Sequence, residues 1–303
     1  MRSLMGVVLV VCGQPAWGRT LDVGPGAPFA QPSAAVAAAA SGDTIRIAPG
    51  RYSDCAVLRQ DGMTIEGTGP GVVLAGKTCA GKGILVIDAA NVTVRGITLQ
   101  GAHVPDRNGA GIRAEGGSVT VEAVRFLDNE NGILTGDNPA ATIRISDSDF
   151  IGNGSCEAGC AHGIYAGAVG LLRVERSRFL GTRSGHHIKS RAFRTEVTGC
   201  DIADGPDGTS SYLIEIPNGG ALLVDANRLE KGPHSGNAAN AIMIGAEGVK
   251  RPAGTVLIRG NRFVNDEGRP TVFVHNLSET PAVLEGNVLV GPVQALVGPG
   301  TVR

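Results

Sequence analysis

One short pattern recurs through most of the chain and limits what it can fold into: apolar, any, apolar, three intervening positions, then an apolar residue two places on. It reads VTVRGITL (92–99), VTVEAVRF (119–126), IRISDSDF (143–150), LRVERSRF (172–179), TEVTGCDI (195–202), LLVDANRL (222–229), VLIRGNRF (256–263) and AVLEGNVL (282–289). The instances are spaced by about 27 residues on average, within the range that marks a solenoid or array. Apolar residues two apart mark each instance as a strand, and the Gly-rich spacers as turns and loops. Strands this short cannot bury an apolar face alone, so successive repeats must stack and share a continuous core. In the last four repeats the sixth pattern position is Cys200, Asn227, Asn261 and Asn287. That series predicts a ladder of stacked amides at an internal turn, with Cys200 as a buried free thiol in the same slot.

The N-terminal part fits the same architecture. Residues 33–52, SAAVAAAASGDTIRIAPGRY, predict an Ala-rich helix from Ser33 ended by Gly42, a strand TIRIA and a turn at Pro49–Gly50. A helix there covers the open end of the first coil, which would otherwise present a bare sheet edge. With its helix, its GDTIRIAPGRY entry and its stacked repeats, the chain resembles a right-handed parallel β-helix of the pectin-lyase-like superfamily over essentially all of residues 19–303. The resemblance implies an all-β solenoid with a short N-terminal capping helix, forming a single domain.

Residues 1–18 have the layout of a secretory signal: basic Arg2, an apolar run from Leu4 to Val11 and a small-residue exit at Ala16–Trp17–Gly18. The mature chain is therefore expected to start near Arg19 and to be exported, to a periplasm or the extracellular space. No later apolar run approaches the roughly 20 residues that span a bilayer, so no membrane association is expected after signal removal. Five cysteines then remain, an odd number in a compartment that permits disulfides. Cys156 and Cys160 can close a small loop, and Cys55 and Cys79 lie about one repeat apart, as stacked neighbours do. A zinc set of Cys156, Cys160 and His162 is the weaker alternative. The net charge of −1 and the absence of a basic stripe with interleaved aromatics argue against a nucleic-acid partner, and the expected form is a monomer.

Each repeat carries a second strand. Aligning its first inward residue gives Ile112, Ile133, Ile164, Ile188, Ile214, Ile242 and Val272, so alternation places Arg113, Leu134, Tyr165, Lys189, Glu215, Met243 and Phe273 outside. His187 and Gly163 fall two residues before that column; Arg191, Gly167, Gly245 and His275 fall two after it. Parallel coils are about 4.8 Å apart, so Tyr165, Lys189 and Glu215 should form one row with His187 and Arg191 beside Lys189. The same face is expected to gather His162, His186, Tyr212 and Asn218. The glycines Gly163, Gly167 and Gly245 should leave a groove for an extended ligand, and the loop segment 230–254 could wall it.

These residue types suit β-elimination or C5 epimerisation of a uronate, which need a donor for the carboxylate, a base for the C5 proton and an acid for the leaving oxygen. Lys189 is the expected base, if clustered cations depress its pKa, with His187 as the rival base. Arg191 matches the carboxylate, and Tyr165 would serve the leaving oxygen. His162, His186, Tyr212, Glu215 and Asn218 are the expected substrate-binding residues. Glycoside hydrolysis, which needs two flanking carboxyl groups, would have to use Glu215 with Asp204 or Asp207.

The segment HHIKSRA is similar to the strand of periplasmic mannuronan epimerases that reads His-Gly-Ile and then Ser-Arg, which carries over His187, Ser190 and Arg191. The Asp-Pro-His-Asp motif of those epimerases is absent, the preceding coil reading HGIYAG. The superfamily also contains lyases, some with a Lys base and an Arg acid, and polygalacturonases. The expected function is thus an enzyme acting on an acidic polysaccharide, a lyase ahead of an epimerase or hydrolase, with a non-catalytic glycan-binding protein as the alternative. No cofactor is evident, and calcium has no supporting acidic motif.

Overall fold

The computed structural model describes residues 18–303 except Ala158; of the expected leader, residues 1–17 lie outside the described residues. Short strands follow one another from Thr20–Val23 to Gly300–Val302 and stack into three parallel sheets, one of twelve strands and two of ten. Each turn of the right-handed solenoid contributes one strand to each sheet, so non-adjacent segments become neighbours in strict order. None of the described helices is long and apolar enough to cross a membrane.

The recurring eight-residue pattern is two strands joined by a bend rather than a single strand. Val119–Glu122, for example, belongs to the first sheet and Arg125–Leu127 to the second. The bend falls at the fifth position, which has a positive φ in all eight repeats: Gly96 (65°), Ala123 (52°), Asp147 (52°), Arg176 (45°), Gly199 (61°), Ala226 (55°), Gly260 (63°) and Gly286 (59°). A single left-handed residue turns the chain without a loop. The side chain after it feeds the interior ladder. Val124 N–H donates to Ser148 Oγ, Ser148 N–H to Ser177 Oγ, Cys200 N–H to Asn227 Oδ1, Asn227 N–H to Asn261 Oδ1 and Asn261 N–H to Asn287 Oδ1. The amide series was legible in sequence; its extension through two serines was not.

The core runs along the solenoid axis. Phe126, Phe150 and Phe179 stack with ring centroids 4.5 Å apart. Facing them, at the corner leading into the third sheet, are Gly111, Gly132 and Gly163. A Cβ on Gly132 would lie 2.6 Å from the Phe150 ring, and one on Gly111 2.8 Å from that of Phe126. Gly163 is therefore interior, and the groove-forming role expected for it is not seen. Its absent side chain makes room for Phe179 and for the next strand's backbone.

The helix spans Pro32–Ala38, shorter than expected, and buries Ala35 and Val36 against the first coils. Both expected disulfides are formed, Cys55–Cys79 and Cys156–Cys160, and Cys200 is free and buried. Burial, chiefly, pushes the Cys200 thiol up to about 11.

Candidate active site

Strands Ile164–Ala166, Ile188–Ser190 and Ile214–Ile216 are consecutive in the third sheet and pair Tyr165 with Lys189 and Lys189 with Glu215. Ile164, Ile188 and Ile214 are fully buried, so alternation turns the paired residues to the outer face. Ser190 faces inward as expected, its Oγ 2.7 Å from Thr195 Oγ1. Arg191, just past its strand, reaches back: its Nε donates to the Tyr165 phenolic oxygen (2.8 Å) and its Nη1 to Asn218 Oδ1 (2.7 Å). Both cations lie over the Tyr165 ring, Lys189 Nζ 5.9 Å and Arg191 Cζ 5.6 Å from its centroid.

Two carboxylates complete the cluster. Lys189 Nζ lies 2.9 Å from Glu215 Oε2 and 2.8 Å from Glu247 Oε1, and Arg191 Nη1 lies 2.6 Å from Glu247 Oε2. Burial works to lower the Lys189 pKa, but the two carboxylates outweigh it and hold the ammonium above its ordinary value. The depressed pKa expected of Lys189 is therefore not found, because its nearest charges are anions and not the cations that adjoin it in sequence. Burial likewise opposes ionisation of Glu247, yet Arg191 and Lys189 hold its carboxyl down to about 2. Glu215 is lowered as well, burial being outweighed by His186 and Lys189. Its Oε2 lies 3.0 Å from His186 Nε2 and 2.9 Å from Lys189 Nζ.

His162, His186 and Tyr212 form a stack along one edge of the sheet, with centroids 4.7 and 4.9 Å apart. Each imidazole Nδ1 accepts the backbone N–H of the next coil: His186 N–H donates to His162 Nδ1 and Tyr212 N–H to His186 Nδ1. Burial, foremost, keeps both rings below their ordinary pKa, His162 well below. A neutral imidazole whose Nδ1 accepts carries its proton on Nε2, so both rings are donors and neither is a free base. At 2% and 7% exposure they belong to the scaffold more than to a contact surface. Asn218 is also buried, and its Nδ2 donates to Gly248 O; it orients Arg191 and ties down the following loop.

His187 departs most from expectation. It does not project outward: it is 0% exposed, with Nδ1 2.7 Å from Thr182 Oγ1 and Nε2 3.0 Å from Asp204 Oδ1. It occupies the corner position that Gly111, Gly132 and Gly163 hold in earlier coils, where the chain enters the sheet and alternation does not yet apply. Its ring meets Phe179 edge-on. Asp204 Oδ2 accepts Gly232 N–H, and the neighbouring Lys231, also 0% exposed, donates to Ser211 O. Burial lowers the Lys231 pKa to about 8. The Thr182–His187–Asp204 array has the order of a nucleophile relay, but its burial leaves no approach for a substrate, which removes His187 as rival base. The far end of the outer column also shifts: Val274, not Val272, pairs with Ile242, and His275 pairs with Met243. Phe273 is buried against Phe263. A slip of two residues keeps strand parity, so alternation alone could not detect it.

The sequence reading missed Glu247. It lies within the long segment singled out as a wall, and that insertion was its one signal. Among the described residues, no group of three or more His, Cys, Asp or Glu side chains could hold a metal ion.

The fold is a right-handed parallel β-helix. Among solved structures, the chain is similar to the alginate lyase from Paenibacillus sp. str. FPU-7, with a TM-score of 0.59 and 17% identity over 91% of this chain and 99% of that one. It is also similar to ORF18 of Geobacillus virus E2, with a TM-score of 0.58 and 13% identity over 88% of this chain and 56% of the viral one. No family model matches the chain, and no curated protein matches it in sequence. At these identities the likeness is one of fold, and chemistry has to be argued from the site.

Proposed function

We propose that this chain is an exported, monomeric carbohydrate-active enzyme that cleaves a uronate-containing polysaccharide by β-elimination at the outer face of the third sheet. The observation that carries this reading is the contact of Arg191 with both Tyr165 and Glu247, beside the Lys189 ammonium. A uronate carboxylate displacing Glu247 would take over the Arg191 fork and the Lys189 charge, as the enediolate formed on C5 proton loss requires. Tyr165, in its deprotonated form, takes the C5 proton. The electrons of the C–H bond form the C4–C5 double bond as the C4–O bond breaks, and the phenol returns its proton to the departing oxygen. The Arg191 Nε–H stabilises charge on the phenolic oxygen throughout. Lys189 is a neutralising cation here instead of the base that its sequence neighbours suggested. Proton removal and return by one residue requires the C5 hydrogen and the C4 oxygen on the same ring face.

The scaffold is one that an alginate lyase also uses. Epimerisation shares the first step and differs only in reprotonation of C5. Hydrolysis is less well served, since Glu215 is buried and ion-paired and Asp204 is spent on His187.

The test is ultraviolet absorbance of unsaturated uronate, with polymannuronate, polyguluronate, polygalacturonate and polyglucuronate as substrates. Absorbance should rise with at least one of them. Exchange of the C5 proton with solvent without absorbance would select the epimerase. If absorbance, exchange and new reducing ends are all absent, the groove binds without turnover.

A further inference from the structure

A pocket opens at the edge where the chain enters the third sheet, one coil before Tyr165. It has a volume of about 350 Å³, and His103, Arg107, Glu130, Gly154, Cys156 and Arg183 contribute to its lining. Glu130, the residue before strand Asn131–Thr135, is 2% exposed. Its Oε2 accepts the N–H of Val104 (3.1 Å) and of Gly109 (2.7 Å), clamping the loop that carries His103 and Arg107. Its Oε1 is buried and has no hydrogen-bond partner among the described residues. The nearest basic groups, His103 Nδ1 at 3.7 Å and Arg107 Nη1 at 3.9 Å, are too far for a hydrogen bond.

A buried carboxylate oxygen without a donor is destabilising, so this atom calls for a donor from outside the chain. The donor's chemistry is constrained. A hydroxyl satisfies Oε1, whereas a bare cation would sit against the Arg107 guanidinium and find no second buried carboxylate. Arg107 in turn offers its fork to an anion: its present partner Glu157, 2.8 Å away, is 64% exposed and easily displaced. Hydroxyls together with a carboxylate on one small ring describe a sugar acid, for which the volume suffices.

Two hydrogen bonds connect the pocket to the segments that lead into the candidate active site. His162 N–H donates to Asn131 Oδ1, next to Glu130, and Gly185 N–H donates to Cys156 Sγ. We infer that this pocket is a second binding site for one acidic sugar residue, received by Glu130 Oε1 and Arg107, and forms a subsite beyond the point of cleavage. The acid and hydroxyl chemistry is read from the pocket itself; its role as a subsite rests on the proposed polyuronate activity.

The experiment titrates the whole mature protein with sodium D-glucuronate, following backbone amides by NMR, with D-glucose and calcium chloride as parallel probes. Glucuronate should shift the amides of Gly109, Glu130 and Gly154. Arg107→Ala and Glu130→Gln should each weaken that binding about tenfold or more, the loss of one hydrogen bond to a charged group, while Tyr165→Phe leaves it unchanged. Gln keeps one oxygen for the Val104 and Gly109 N–H groups; the surface variant Arg107→Ala provides the test if Glu130→Gln does not fold. Absence of glucuronate shifts in the pocket, equal binding by the variants, or the same shifts with calcium alone would overturn the inference. Pocket binding without turnover refutes the lyase reading and retains the site, and turnover without pocket binding does the reverse.

Discussion

At Lys189 two opposed influences meet, and their balance sets its chemistry. Burial favours the neutral amine, while Glu215 and Glu247 favour the ammonium and prevail. Proton transfer is thereby left to Tyr165, whose hydroxyl is held by Arg191. Removing that hydroxyl with Tyr165→Phe keeps the ring beneath both cations. We expect kcat to fall by about 10²–10⁴, the usual contribution of a positioned acid–base group, with oligouronate affinity within a few-fold of wild type. Steady-state rates and calorimetric titration check this, and unchanged kcat would dismiss Tyr165 as the proton-transfer group. The outward row of Tyr165, Lys189 and Glu215 was legible because strand parity decides which way a side chain points. Glu247 was not, since it meets Lys189 from a loop 58 residues further on. His187 was misread because it precedes the strand at a corner, where parity has no hold.

At the scale of elements, each bend depends on one left-handed residue, and at Ala226 that residue carries a Cβ (φ 55°). A left-handed conformation costs an L-residue about 1–2 kcal/mol, only partly offset by the greater unfolded-state freedom of glycine. Ala226→Gly should therefore stabilise the protein by up to about 1 kcal/mol, opposite in sign to the same change inside a strand. Denaturant midpoints measure it, and a destabilised variant would contradict the account. The loop around Glu247 responds to pH through the same kind of balance. Its folded pKa of about 2 lies below the ordinary 4.5, so its contribution to docking is full above about 4.5 and is lost as pH falls toward 2. Amide protection of Lys250 and Arg251, whose N–H groups donate to Asn218 O, should drop across that window while Ile188 and Ile214 stay protected. Protection that persists at pH ~2 would mean that Glu247 does not hold the loop.

At the scale of the whole molecule, each strand pairs only with those of the adjacent coils, so stability propagates along the axis and a local defect remains local. The Cys55–Cys79 disulfide lies near the helix-capped end, and the strand containing Tyr165 is fifth in its sheet from that end. Replacing both cysteines with serine should cost the first coils about 2–4 kcal/mol. Limited proteolysis should then cut there first, while the lysine and tyrosine environments of the third sheet, followed by NMR, stay unchanged. Simultaneous loss of both regions would show that the solenoid unfolds as a single unit.

The sequence by itself determined the solenoid, its stacked amide ladder, the two disulfides and the face on which Tyr165, Lys189 and Glu215 stand. The solenoid, the ladder and that face follow from a repeat length and a side-chain period, and the disulfides from cysteines one repeat or one short loop apart, all of them local properties of the chain. Only the tertiary structure decided the charge state of Lys189, the burial of His187 with Asp204 and Thr182, the role of Asn218, and the open oxygen of Glu130. Each depends on which side chains from distant coils arrive at the same point, and electrostatics in a partly buried site responds to those neighbours through space and not to the residues adjacent in sequence.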